Sequence, residues 1–150
     1  MQFSSAIISA ITVALASAAA IEKRSIFDIS DFSAGCIPHS TQCLYSFIIQ
    51  PGTMGTTSFK CTALVPGNTD GTLPDIPKWG GSCIASPRKF WFTREDDGLN
   101  FFLSQQVSLI SNQTASHLIP NSDLVMVANT IGSTESYTGP TSFGLEYTSI

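Results

Sequence analysis

The sequence predicts an all-β chain: a compact antiparallel β-barrel or β-sandwich of about seven to nine strands with two disulfides. Three observations carry this. Runs rich in β-branched and aromatic residues alternate with Gly, Pro, Asn and Asp clusters, several runs keep a period of two, and no twelve-residue window keeps a helical spacing.

The strand candidates follow in chain order: Ile26–Phe32, Cys43–Gln50, Thr57–Val65, Lys89–Arg94, Leu99–Ile110, Asp123–Thr130 and Ser142–Thr148. In the first, Phe27, Ile29 and Asp31 share a face opposite Ile26, Asp28 and Ser30. In the second, Tyr45, Phe47 and Ile49 form a wholly apolar face, as a sheet packed on a core requires. Asp97-Gly98 stands between two aromatic-rich runs and predicts a tight hairpin there, with positive φ supplied by the Asp-Gly pair. Gly52–Thr57 and Pro66–Gly81 read as loops.

The N-terminus sets the compartment. Ala6 to Ala20 is an uncharged apolar stretch, short for a membrane span, and ends in small residues, where both Ala18-Ala19-Ala20 and Ala16-Ser17-Ala18 suit signal peptidase. Residues 1–20 therefore read as a signal peptide. Residues 21–24 read as a short propeptide ending in the dibasic pair Lys23-Arg24, with cleavage after Ala20 and again after Arg24. The mature chain is then a single all-β domain of residues 25–150, secreted and extracellular.

That mature chain holds ten acids and five bases, a net charge of about −5 with histidines neutral. Its bases are scattered, which argues against nucleic acid and anionic membrane as partners. No later apolar run is long enough to span a bilayer, so no membrane insertion is expected. The four cysteines, Cys36, Cys43, Cys61 and Cys83, all lie in the mature part. On an oxidising route they read as two disulfides, with three connectivities possible; the local pairings Cys36–Cys43 and Cys61–Cys83 are preferred because they assume nothing about distant strands.

Several constellations could carry chemistry. Cys36, His39, Cys43 and Cys61 could form a Cys3His zinc shell, but the spacing is not a C-x2-C and export favours disulfides. There is no G-x-S-x-G elbow and no spare cysteine for nucleophilic catalysis. A small ribonuclease-like hydrolase would need a base, an acid and a cationic clamp, for which His39, His117, Glu95, Arg88 and Arg94 are available. Arg94 and Glu95 are adjacent, however, so on one strand they point to opposite faces, and Asp96 and Asp97 would repel a phosphodiester. Glu95-Asp96-Asp97 lacks the spaced ligands of a calcium loop and reads as a solvated turn. Trp79 or Trp91 could line a carbohydrate platform, as a carbohydrate-associated cell-wall protein would need, although one face of the Trp91 run must be core. Asn112-Gln113-Thr114 is a glycosylation sequon, placed by its composition in a polar turn after a strand. No cofactor or metal is expected.

The stretches "FDISDFSAGCIPHSTQCLYSF", "FKCTALVPG", "SCIASPRKFWFTREDDGLNFFLSQQ" and "NQTASHLIPNSDL" resemble the small secreted fungal proteins described as hypersensitive-response-inducing elicitors. A looser pattern of Cys61, Trp79, Ser82-Cys83, Phe90-x-Phe92 and Gly98-Leu99 is similar to the Alternaria major allergen family. The resemblance implies a β-barrel or sandwich exported by a filamentous fungus, a Cys61–Cys83 disulfide, and action at the plant interface through recognition. The expectation is thus a non-enzymatic effector or elicitor contacting an apoplastic or cell-surface plant protein. With no extra cysteine, the chain is expected to be a monomer or a weak non-covalent dimer.

Overall fold

The computed structural model describes residues 25–52, 55–130 and 132–150; the expected signal peptide and propeptide, with the expected processing residues Ala20, Lys23 and Arg24, lie outside them. Ten strands follow one another in the described chain: β1 (Ser25–Cys36), β2 (Gln42–Ile49), β3 (Phe59–Pro66), β4 (Ile76–Cys83), β5 (Ser86–Glu95), β6 (Gly98–Ser108), β7 (Ser111–Pro120), β8 (Leu124–Asn129), β9 (Gly132–Tyr137) and β10 (Phe143–Thr148). The only helical turn among the described residues is a 3₁₀ turn at Asn121–Asp123. The sheet runs β10-β7-β6-β5-β4-β3-β2-β1-β9-β8, and a further β10–β1 pairing closes eight strands into an antiparallel barrel. The β8–β9 hairpin is left attached to the far half of β1, through Gly35 opposite Ser136. A barrel, not a sandwich, is the solution this sequence takes.

The period-two pattern places the core. Tyr45, Phe47 and Ile49 point inward from β2, Phe90 and Phe92 from β5, and Phe101 and Leu103 from β6, all buried. Opposite inner positions meet ring to ring: Phe92 stacks on Phe101 at 4.6 Å between centroids, and Tyr45 stacks on Phe92 at 4.3 Å. The Tyr45 hydroxyl donates to the Pro74 carbonyl at 2.7 Å, so the buried phenol is satisfied, and burial raises its pKa well above the ordinary tyrosine value.

Both disulfides join residues that face each other across a strand pair. Cys36 and Cys43 are partners in β1–β2, and Cys61 and Cys83 in β3–β4. The local pairing expected from the sequence is therefore the one formed. The second bond sits at a narrow seam, because β3 and β4 pair only at Cys61–Cys83 and Thr62–Ser82. Closing a loop of that length restricts the unfolded chain and stabilises the fold by roughly 2–4 kcal/mol.

The structure corrects five expectations. First, Asp31 does not share the Phe27 and Ile29 face. It is exposed with a φ of +51°, at a bulge where β1 advances three residues while β2 advances two. That bulge turns Phe32 and Ala34 inward. Second, Pro66–Gly81 is not loop throughout: β4 begins at Ile76. Its Pro77, Gly80 and Gly81 hid it, and a large register shift between Ile76 and Gly81 explains how a strand accommodates them. Third, β7 and β9 are strands the pattern did not single out, because their polar residues outnumber the apolar ones. Fourth, the hairpin turn lies one residue earlier than Asp97-Gly98. Glu95 pairs with Gly98 across Asp96-Asp97, neither of which has a positive φ. Gly98 is needed for another reason, since a Cβ there would collide with the Ile119 carbonyl oxygen. Fifth, Asn112 is not in a turn; it lies on β7 opposite Gln106, still exposed.

Candidate functional site

Antiparallel order gives the barrel two unlike ends. One carries the 36–43 loop, the 67–75 segment, the Asp96-Asp97 turn and the β8–β9 hairpin. The other carries the β4–β5 and β6–β7 turns.

At the first end the 67–75 segment folds over the barrel as a strap. Leu73 and Ile76 plug the interior. Gly71, at φ +83°, passes so close to β9 that a Cβ would collide with the Ser133 carbonyl oxygen. A buried carboxylate holds the strap: Glu135 accepts from the Leu73 N–H at 2.8 Å and pairs with the Arg94 guanidinium, which also donates to the Leu73 carbonyl at 3.2 Å. Asp75 completes the clasp by accepting the Arg94 N–H at 2.8 Å.

Between the strap, the Cys36–Cys43 loop and β9 lies a cleft of two adjoining lobes, about 420 and 340 Å³. Its lining is mainly neutral and polar, including Ser40, Thr41, Asn68, Ser133 and Thr134, with Asp70 as the carboxylate. Thr72 holds the Asp70 carboxyl below the usual carboxylate range through two hydrogen bonds. His39, exposed on the turn at φ +61°, lines the smaller lobe.

The groups considered for a hydrolase are dispersed. His117 lines neither lobe; it is half-buried on β7 and stacks on Phe143 at 4.2 Å between centroids. Arg88 and Arg94 share the inward face of β5 but stand six residues apart, roughly 20 Å in an extended strand. Arg88 lies over the Phe59 ring at 4.8 Å, and Arg94 is held by Glu135. Glu95 is exposed on the opposite face. All four cysteines are in disulfides, and no group of three or more His, Cys, Asp or Glu among the described residues is placed to hold a metal ion.

Burial pulls the His117 imidazole below its ordinary pKa, against the opposing charges of Glu146 and Asp123. As pH falls, the unfolded chain takes up this proton first. The contribution to stability is therefore full above the unfolded value of about 6.5 and is lost as pH drops from there toward the folded value. Replacing His117 by Phe should flatten the stability profile across that interval, read by urea denaturation at stepped pH. An unchanged slope would count against a buried neutral imidazole.

The tryptophans also differ from a sugar platform. Phe90 and Phe92 take the core, so Trp91 faces outward, yet it is only 4% exposed because Trp79 covers it at 4.8 Å and Phe102 stacks on it at 5.2 Å. Trp79 is 40% exposed, with the Lys78 ammonium 5.3 Å from its ring. One half-exposed ring results, not an aromatic row.

The feature that sequence reading missed is at the other end. β5 pairs with β6 no further than Ser104, and β10 pairs with β7 no further than Thr114, but β6 and β7 continue pairing to Ser108–Ser111. Residues 105–113 thus project as a two-stranded ribbon. Its turn is Leu109-Ile110, 95% and 97% exposed, where a turn ordinarily carries Gly, Asn or Asp. Val107 is exposed on the same ribbon, and Arg88 braces its root by donating to the Gln105 side chain at 3.1 Å. The available signal was that "VSLI" has no core partner if the next strand starts at Ser111.

Fold and surface together define the class of protein: a disulfide-pinned eight-stranded β-barrel with a strapped end, a polar cleft and an apolar-tipped ribbon. Comparison with protein-family models, with curated proteins and with solved structures finds no match.

Proposed function

We propose that this chain is a secreted fungal effector or elicitor that acts at the plant interface by protein–protein contact, without catalysis. The observation that carries the reading is the bare Leu109-Ile110 tip on a projecting ribbon. Large apolar side chains held out in water on a paired ribbon mark a contact surface. Two disulfides suit an extracellular life, and the resemblance of the Cys36–Cys43 region and its neighbours to fungal elicitors supplies the setting. The partner is then an apoplastic or cell-surface plant protein with an apolar socket, and the acidic chain is not a nucleic-acid binder. No helix of the described residues is long and apolar enough to cross a membrane.

Infiltration of purified protein into leaves tests this. The wild type and a His39→Ala/His117→Ala double variant are expected to provoke the same immune response, while Leu109→Ser/Ile110→Ser, checked as folded by near-UV circular dichroism, loses it. No response to wild type in several hosts would sink the elicitor reading. Loss of response in the histidine variant would favour the hydrolase, and an undiminished response from the tip variant would remove the ribbon as the contact.

A further inference from the structure

Closing a barrel abolishes the free edges of its strands, but β8 lies outside the barrel and is last in the sheet order. It pairs with β9 along its full length from Leu124 to Asn129, and among the described residues no strand pairs with its other side. In an antiparallel ladder alternate residues direct their N–H and C=O groups away from the partner strand, so that side of β8 presents a row of backbone donors and acceptors. Within β8 itself the devices that ordinarily protect such an edge are missing. "LVMVAN" contains no charge and no proline, the strand shows no register shift, and Val125, Met126 and Val127 are all exposed.

The surroundings say what fits. A row of spaced backbone groups is matched by another extended backbone, not by a small molecule or a lipid. Apolar side chains on both faces of β8 favour apolar residues on the incoming strand. Acidic residues stand where β8 begins: Asp123 precedes it directly, with its carboxylate beside Gly139, and Asn121 ties the backbone of the exposed Asp96-Asp97 turn to the same place. Positive charge flanking the incoming strand would be attracted there. A second copy of this chain fits less well. It would bring the same acidic residues and, over residues 25–150, another net charge of about −5, and a six-residue ladder buries far less than the roughly 1,200 Å² of a stable dimer.

We propose that the free edge of β8 is a strand-addition site for an extended segment of a partner protein, apolar in its centre and flanked by lysine or arginine. This rests on the sheet order and the charge around β8, and it stands or falls independently of the ribbon tip and of the elicitor reading.

The probe is a fluorescein-labelled synthetic peptide, KRTVTVTKR, titrated with purified protein and followed by anisotropy. Saturable binding is expected. The proline-interrupted peptide KRTPTPTKR keeps the charge but cannot add to a sheet, and it should bind at least about tenfold more weakly, as should the acidic-flanked EETVTVTEE. Met126→Lys should weaken binding of the first peptide by a similar factor, while Leu109→Ser/Ile110→Ser leaves it unchanged. Amide shifts in isotope-labelled wild-type protein should centre on residues 124–129, a readout that needs no variant to fold. Equal binding of the proline peptide, shifts centred elsewhere, or no saturable binding would each overturn the proposal. Concentration-dependent self-association that shifts residues 124–129, without peptide binding, would overturn it in favour of a second copy.

Discussion

Replacing Phe32 with alanine is expected to cost about 3–5 kcal/mol, the range for emptying a buried aromatic site. Phe32 is fully buried and contacts rings from five other strands: Phe47 of β2, Phe92 of β5, Phe101 of β6, Tyr137 of β9 and Phe143 of β10. The closest are edge-on, with Tyr137 at 4.8 Å and Phe143 at 5.2 Å between centroids. Its removal leaves a cavity that five rigid rings cannot collapse to fill. A chain of this size should lose about 10–20 °C in Tm. Phe32→Leu retains most of the volume and is expected to cost only about 1–2 kcal/mol. Urea denaturation of both variants decides the matter, and an alanine cost below about 1 kcal/mol would show that Phe32 does not organise the core.

The second large effect is expected at Glu135. Glu135→Ala should cost about 2–4 kcal/mol, because it leaves the Leu73 N–H without its acceptor and Arg94 without its counter-charge. The side chains of Arg94 and Glu135 are 30% and 9% exposed, so solvent screens the arginine side of the pair more than the carboxylate. That is why the expected cost lies below that of a fully buried pair. The double variant Arg94→Ala/Glu135→Ala should cost clearly less than the two single costs together, since each single change strands the other's charge. Strict additivity in a urea-denaturation cycle would show that the strap is held by packing of Leu73 and Ile76 alone. Hydrogen exchange should localise the damage, with protection lost first over residues 67–75.

Both expectations rest on contacts invisible in the sequence, although their ingredients were legible. The apolar column Tyr45-x-Phe47-x-Ile49 announced an inward face, and β2 buries that face. An aspartate at Asp31 in an apolar column was itself the mark of a bulge, but alternation alone could not say that the chain changes phase there and delivers Phe32 to the core. In the same way, Arg94 and Glu95 were correctly placed on opposite faces. That Arg94 would find Glu135, more than forty residues away on β9, depends on how the β8–β9 hairpin docks against the strap.

The candidate surfaces divide along the same line. The polar cleft exists because the Cys36–Cys43 loop, the strap and β9 meet, and each alone reads as an ordinary turn or polar strand. His39, weighed as a zinc ligand or a hydrolase base, is an exposed turn residue that lines one lobe of that cleft. The apolar tip required knowing that β6 and β7 outrun their neighbours, which is a property of strand pairing and not of composition.

The all-β class, the inner faces of the strongly alternating strands and the preferred local disulfide pairing are legible in the chain alone. Side-chain periodicity and cysteine proximity are local properties, expressed within a few residues of chain. Closure of the sheet through β10 and β1, the pairing of Arg94 with Glu135, and the exposure of β8 and the ribbon tip arise only when the strands assemble. Closure, burial of a distant charge pair and exposure of an edge are set by which strands become neighbours. Neighbour choice is a balance of packing over the whole barrel, and no single stretch of sequence contains it.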